Sequence, residues 1–314
     1  MKDSEPNPKR KTKLAQVFYL ANYAVKSRIS DRFKKPLICS FKITNRCNLK
    51  CLHCPFWKEE KTKELNFKEV IDILLKLYDD GVRIVIFEGG EPLLWKDSRE
   101  GKNINDVIEY SKGLFFYTGI TTNGTINLEG FNPDIVFTSI DGLEKTHDRI
   151  RGKSFNKIIE NIEKNNKNKK IIANICISKE NISEIADLVK FLNDKVFGVT
   201  IQFFYPYERV KDFRIDDRQK ELLLNELISL KKNGFKLLNS TACLKKMAHH
   251  TWHCYDFLVS SVESDGRINY GCYLKNKVKN VSCADCGFAA HCEISLAYSF
   301  NLSAINTAKL IFWK

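Results

Sequence analysis

Six apolar runs, separated by stretches of helical periodicity, limit what this chain can become more than any other feature. They are PLICSFKIT (from 36), VRIVIF (82–87), LFFYTGIT (114–121), DIVFTSI (134–140), KIIANICI (170–177) and GVTIQFF (198–204). Runs this continuous are buried on both faces, the habit of strands in a parallel sheet covered by helices. Helices are predicted between them at about 66–80, 103–112, 154–168 and 181–193, with a longer one at about 215–233. Asn66 with Glu69, and Asn181 with Glu184, have the spacing of capping boxes, and Gly81 is placed to end the first of these helices. With 314 residues, 43% of them hydrophobic, one large core and a small appendage can form. The expected class is α/β, with six units curving into a partial barrel.

In such folds the active site gathers where the strands end. The first run is followed by ITNRCNLKCLHCPFW, which sets Cys47, Cys51 and Cys54 at a C-x3-C-x2-C spacing. After the second comes EGGEP, Glu88 to Pro92; after the third TTNG, Thr121 to Gly124; after the fourth Asp141 and Gly142, then HDRIRG from His147 to Gly152. Polar or glycine-rich residues thus reach one rim from four strands. GGEP lacks the lysine and hydroxyl of a phosphate-binding P-loop. Thiolates bind soft metals: zinc, copper(I) or iron–sulfur clusters. A structural zinc site asks for four protein ligands. Three thiolates on a 4Fe-4S cube hold three irons and leave the last open to another ligand.

Spacing and strand context together resemble the radical S-adenosylmethionine (radical SAM) superfamily, whose signature loop follows the first barrel strand. The resemblance runs in order through residues 37–205. It implies an open-site 4Fe-4S cluster on Cys47, Cys51 and Cys54, with S-adenosyl-L-methionine on its vacant iron. GGEP is similar to the segment that meets the amino group of that cofactor, which implies binding roles for Gly89, Gly90, Glu91 and Pro92. The run from Ser139 to Gly152 looks like the strand-four segment of peptide- and lipid-modifying branches; Ser139 and Asp141 would line the cofactor pocket and Arg151 would meet its carboxylate. Thr122 and Asn123 fall where the third strand opens on the same pocket. The implied chemistry is one-electron cleavage of the cofactor to a 5′-deoxyadenosyl radical that abstracts hydrogen or adds to an unsaturated carbon, fed by an electron donor such as ferredoxin or flavodoxin.

Eleven cysteines with no export signal argue against a disulfide framework. Cys243, Cys254, Cys272, Cys283, Cys286 and Cys292 form a second group, with C-x2-C at 283–286. This pattern resembles the auxiliary-cluster extension of the family, the SPASM and twitch domains. It departs from the two-cluster form, because Leu296 stands where a further cysteine belongs and none follows Cys292. The resemblance implies one auxiliary 4Fe-4S cluster, for which four of Cys254, Cys272, Cys283, Cys286 and Cys292 suffice; a stabilising zinc knuckle is the alternative, and Cys243 is either a ligand or a spectator. Cys39 and Cys176 lie inside strands and are expected in the core. His249, His250 and His253 are expected to be incidental or outer-sphere. The expected organisation is a basic tail and helix at 1–36, a partial (β/α)6 TIM-like barrel at 37–238 and a small cysteine-rich C-terminal extension at 239–314.

A net charge of +13 favours anionic partners without choosing among them. The basic residues are scattered and not interleaved with aromatics along one face, so no nucleic acid is expected. Residues 1–13 read as a polar, disordered tail without an apolar signal segment, and no apolar run of about 18 residues follows, so a cytoplasmic chain is expected. Residues 14–29 have helical spacing, with Leu14, Val17, Phe18, Ala21, Val25 and Ile29 on one face and basic residues at both ends. Packing of that face against the main domain is the commoner fate; the alternative is peripheral contact with an anionic membrane at its inner face. Ile305, Leu310, Ile311, Phe312 and Trp313 could anchor at the same interface. With the helix, they resemble lipid-linked members such as the hopanoid-type adenosyltransferases. The expected substrate is therefore a small molecule or membrane lipid such as an isoprenoid, with a peptide or protein as the alternative and a non-catalytic, metal-stabilised binding module as the reading of another class. FFYPYERV, 203–210, either faces substrate or packs.

Overall fold

All six expected strands form. The computed structural model describes residues 10–58, 64–207, 210 and 212–313. Its strands are β1 (Ile38–Thr44), β2 (Ile84–Gly89), the two-residue pair β3 (Lys96–Asp97) and β4 (Lys102–Asn103), β5 (Tyr117–Thr122), β6 (Ile135–Ser139), β7 (Ile171–Ile177), β8 (Gly198–Phe203), β9 (Val259–Val262) and β10 (Ile268–Tyr270). The helices are α1 (Lys13–Ile29), α2 (Phe67–Asp79), α3 (Ile104–Leu114), α4 (Glu144–Arg151), α5 (Phe155–Asn165), α6 (Ile185–Leu192), α7 (Asp217–Lys232), α8 (Thr241–Ala248), α9 (Ala289–Tyr298) and α10 (Leu302–Trp313). One eight-stranded sheet has the order β10-β9-β1-β2-β5-β6-β7-β8. Every pairing in it is parallel except β9 with β10.

Alternation along the strands sorts side chains between two environments. Phe41, Ile43, Val85, Phe87, Ile175 and Ile177 are buried in the main core with α2, α3, α5 and α6. The opposite face of the strands forms the lumen. At its N-terminal end, Ile135 and Ile172 pack with Leu310, Ile311 and Phe312 of α10. Lys170 fastens α10 there, its Nζ 2.7 Å from the Ile311 carbonyl. These C-terminal residues therefore pack, half-buried, against the barrel floor in place of the free interfacial anchor expected of them, because the sheet supplies the nearest apolar surface.

Local chemistry decides the helix ends. Asn66 and Glu69 form the expected capping box, with reciprocal bonds of 2.9 and 2.7 Å. Asn181 and Glu184 do not. Asn181 donates instead to the carbonyls of Asp141 (2.7 Å) and Cys176 (2.9 Å), and Glu184 accepts from the Leu143 N–H (2.9 Å). Tertiary partners outcompeted the local motif, and α6 begins later than predicted, after a short 3-10 turn at Ile182–Glu184. The short helix α4 has no counterpart in the sequence reading.

Two further features lie beyond the strand–helix alternation. β9 adds to the free edge of β1, and Val262, Cys243, Leu244, Met247, Ala289, Cys292, Leu296 and Ala304 share the main core, so residues 239–314 are continuous with the barrel. The second feature is α1, which presents its polar-aromatic face to the protein. Gln16, Tyr23 and Ser27 are buried, whereas Leu14, Val17, Phe18, Val25 and Ile29 are exposed, the reverse of the packing expected. Directional contacts explain the choice: the Tyr23 hydroxyl donates to the Lys35 carbonyl (2.5 Å), Ser27 meets the Tyr298 hydroxyl (3.0 Å), and the Tyr19 ring stands edge-on to Phe116. Arg10 pairs with Asp134 at 2.8 Å; the tail at 1–9 lies outside the described residues.

Candidate active site

The loop after β1 is shaped by contacts on both sides. Gly90 N donates to Thr44 O (2.8 Å) and Glu91 N to Arg46 O (2.7 Å), which bind the chain after β2 against the chain that enters the cysteine loop. The approach is so close that a Cβ on Gly90 would lie 2.1 Å from the Arg46 oxygen, and one on Gly89 (φ +143°) 2.2 Å from the Thr44 oxygen. Both glycines are therefore required by packing, whatever else they contact. On the other side, Leu52 N donates to Ile150 O (2.8 Å) and the Trp57 indole to Cys51 O (3.1 Å).

Glu91 is fully buried and ties β2 to β5. It accepts from Thr122 Oγ1 (2.8 Å), Asn123 N (2.7 Å) and Leu93 N (3.1 Å). Burial raises its carboxyl to about 6, against the pull of these donors. Asn123 in turn reaches Asn48 Oδ1 (2.7 Å) and lies 3.9 Å from Cys47 Sγ. Asp141 performs the same service beneath β6. Its carboxylate accepts from Cys176 N (2.8 Å) and from Arg151 Nε (2.5 Å), and His53 Nε2 is 3.6 Å away. Burial pushes this carboxyl upward, yet the Arg151 guanidinium, His53 and the Cys176 N–H together hold it below the ordinary value. Arg151 Nη1 is then 3.9 Å from Cys51 Sγ. Burial raises the Cys51 thiol to about 11, and the adjacent guanidinium opposes that rise.

Cys47, Cys51 and Cys54 open on one cavity of ≈ 240 Å³ together with Gly89, Gly90, Thr122, Asn123, Ser139 and Arg151. Glu91, Pro92 and Asp141 stand behind its wall, where the first and last of these orient residues that do line it. The sequence reading missed Glu88, Asn174, Cys176 and Gln202, which line the same space. Their signal was available: each is a polar or thiol residue interrupting an otherwise apolar strand on the lumen-facing alternate. Cys176 thus faces the cavity, contrary to its expected core position, whereas Cys39 is fully buried in the core. Phe203, Phe204, Tyr205 and Tyr207 of the aromatic stretch also line the cavity; Glu208 and Arg209 lie outside the described residues.

The thiol loop fits a cluster. Three thiols reach one space, a guanidinium faces one and a carboxamide another, and a permanently charged neighbour favours thiolate. Among the described residues no three His, Cys, Asp or Glu side chains converge on a point where one ion could sit; a cubic cluster asks instead for a separate iron at each thiolate. In the second group, Cys254, Cys272, Cys283 and Cys286 lie near one another. After burial, mutual repulsion among them raises Cys254 to about 12 and contributes to raising Cys286 to about 11. Cys292 stands apart, fully buried in the main core beside Cys243, whose sulfur is 3.5 Å from Met247 Sδ. His250 meets Lys220 Nζ (2.9 Å), and the His253 ring stands edge-on to Tyr255.

A parallel α/β barrel whose first loop carries three cysteines at this spacing, opposite a double-glycine turn, defines a class of cofactor-dependent proteins. The model of the Radical SAM superfamily matches residues 41–192. Among curated proteins, the chain is 27% identical over 174 residues to the Fe-coproporphyrin III synthase of Methanosarcina barkeri, covering 52% of this chain and 42% of that one. It is 29% identical over 168 residues to the sporulation killing factor maturation protein SkfB of Bacillus subtilis, covering 49% and 39%. The chain thus spans less than half the length of these two relatives. Among solved structures, Streptococcus suis SuiB bound to precursor peptide SuiA superposes with a TM-score of 0.64 at 17% identity, over 95% of this chain and 72% of SuiB. Residues 41–192 are thus a radical SAM domain. The superfamily works with a 4Fe-4S cluster and S-adenosylmethionine.

Proposed function

We propose that this chain is an enzyme that reductively cleaves S-adenosylmethionine and uses the radical to modify a peptide. The supporting observation is the cavity itself, where three thiols of one loop, a double-glycine turn and Arg151 meet. When bound, the cluster and its nucleoside cofactor supply a 5′-deoxyadenosyl radical upon one-electron reduction. Cys47, Cys51 and Cys54 would each hold one iron. Gly89 and Gly90 bare the backbone to the cavity that the three thiols line, and Thr122 and Asn123, pinned by Glu91, line it as well; these residues would hold the nucleoside cofactor. Arg151, oriented by Asp141, offers a donor pair suited to a carboxylate. Phe203, Tyr205, Tyr207 and Phe288 wall the space and limit the entry of water.

Two lines favour a peptide over the lipid first expected. SkfB is named for the maturation of a killing factor, and SuiB was crystallised with a precursor peptide. In addition, Glu88, Asn174 and Gln202 project into the cavity. Amide and carboxylate groups match a peptide backbone, whereas an isoprenoid offers them no hydrogen bond beyond those that Asn174 makes with Thr200 and Glu88 with Ser40. Cys254, Cys272, Cys283 and Cys286 would hold the auxiliary cluster, giving functional regions at 1–36, 37–238 and 239–314. A ferredoxin- or flavodoxin-type donor in the cytoplasm would reduce the clusters.

Anaerobic reconstitution with iron and sulfide, followed by dithionite and cofactor, should yield methionine and 5′-deoxyadenosine by mass spectrometry, with a mass change on a leader-bearing peptide. Iron-loaded protein that makes no 5′-deoxyadenosine would refute the enzymatic reading; 5′-deoxyadenosine formation stimulated by a polyisoprenoid and not by peptides would refute the substrate reading.

A further inference from the structure

α1 turns its apolar stripe outward. Leu14, Val17, Phe18, Val25 and Ile29 are 53–76% exposed and share one face with exposed Ala21. Thirteen large apolar side chains are exposed among the described residues, and five of them lie here, which is concentration and not scatter. Phe300 and Leu302 (59% and 74% exposed) extend the patch, because the Arg28 guanidinium that borders the stripe lies 4.3 Å from the centre of the Phe300 ring. Phe300 ends α9 at φ +60°, a left-handed position where glycine is the usual occupant. A bulky aromatic is thus held outward at a point where the backbone would favour no side chain. Contiguous apolar surface of this kind marks a contact.

Charge identifies the partner. Residues 10–35 carry eight lysines and arginines against one acid, Asp31, and α1 itself contains no acid. The stripe sits on a convex helix, not in a groove, so an extended peptide has nowhere to lie. A second copy would bring two basic rims together. We propose that α1 docks this protein on an anionic lipid bilayer, with its apolar stripe in the interface and its basic rim among the headgroups.

The anchoring contacts of α1 orient the molecule. Tyr23 binds the Lys35 carbonyl just before β1, Tyr19 faces Gly81 before β2 and Phe116 before β5, and Arg10 reaches Asp134 before β6. All of these lie at the N-terminal ends of strands, whereas the cavity opens at the C-terminal ends. The docked protein therefore rests on the back of its barrel with the cavity mouth turned away from the bilayer. The inference stands independently of the proposed chemistry, and it places the bilayer as an anchoring surface and not as the source of substrate.

Flotation of the full chain with vesicles tests it. Vesicles containing phosphatidylglycerol should carry the protein, decreasingly as salt rises, and phosphatidylcholine vesicles should carry little. The double variant Phe18→Ser, Val25→Ser should lose at least about tenfold in partitioning, with unchanged iron loading and melting because both side chains face solvent. Absence of flotation with anionic vesicles at low salt, or variant binding equal to wild type, would overturn the proposal. So would a wild-type dimer in sedimentation equilibrium that the double variant dissolves, since the stripe would then meet a second copy.

Discussion

Replacing Gly90 with alanine adds one methyl group where the structure has no room. The new Cβ would lie 2.1 Å from the Arg46 carbonyl oxygen, 2.5 Å from its carbon and 2.9 Å from the Asn45 oxygen. All three are backbone atoms, so no side chain can swing aside. Relief requires the chain at 44–46 to part from the chain at 89–91, which breaks the bonds Gly90 N to Thr44 O and Glu91 N to Arg46 O. Overpacking costs about 1–3 kcal/mol and the two hydrogen bonds about 0.5–1.5 kcal/mol each, together roughly 2–6 kcal/mol. At about 2 cal/mol/K of unfolding entropy per residue, this corresponds to a melting point lowered by roughly 3–9 °C. The displaced segment leads directly into Cys47, so iron retained at the first loop should fall as well. The control is Gly130→Ala: that glycine also has a positive φ (+81°), but nothing lies within 4 Å of the added carbon. It should cost about 1 kcal/mol and leave iron unchanged. Anaerobic iron counting and calorimetry read both effects. If Gly90→Ala keeps full iron and melts within a degree of wild type, the close approach of the two loops is not what requires this glycine.

Three other outcomes are expected. Cys283→Ala should remove the auxiliary iron, whereas Cys292→Ala should leave total iron unchanged and lower stability by about 1–2 kcal/mol; iron lost in the latter would return Cys292 to the ligand set. Asp141→Asn disrupts a buried pair with Arg151 and should cost about 3–5 kcal/mol in denaturant titrations, while Arg149→Gln, which breaks the exposed pair with Glu180, should cost less than about 1 kcal/mol; equal effects would contradict the burial argument. His147 is enclosed between the Asp141 N–H and the Ser154 hydroxyl, and burial lowers it from 6.5 to about 4. The neutral ring belongs to the folded state, so its stabilising share is complete above pH 6.5 and is lost as pH falls toward 4. At about 1.4 kcal/mol per pH unit, this amounts to about 3 kcal/mol. His147→Gln should flatten the acid limb of stability against pH, and an unaltered slope would exclude His147 as a cause of acid sensitivity.

The six parallel strands were legible because each is a continuous apolar run, and burial on both faces of a sheet leaves that mark in one dimension. The rim motifs were legible for a related reason: cysteine, glycine and polar residues interrupt the apolar pattern at strand ends, and these meet at one cavity. Glu91 and Asp141 were expected to meet the cofactor, but neither lines the cavity: both stand behind its wall, and a carboxylate that touches ligand and one that orients its neighbour have the same letter. The Asn181 capping box failed because Asp141 and Cys176 offered carbonyls that only a folded neighbour supplies.

Sequence alone determined the strand–helix architecture and the place of the three-cysteine loop after β1, since both rest on local spacing. Only the tertiary structure separated Cys292 from the other four cysteines, packed Leu310 and Phe312 half-buried under the barrel and turned the apolar face of α1 to the outside. Periodicity reports that a helix has an apolar side; which way that side points depends on partners hundreds of residues away, here Tyr298 on Ser27 and Arg28, and no local pattern contains them.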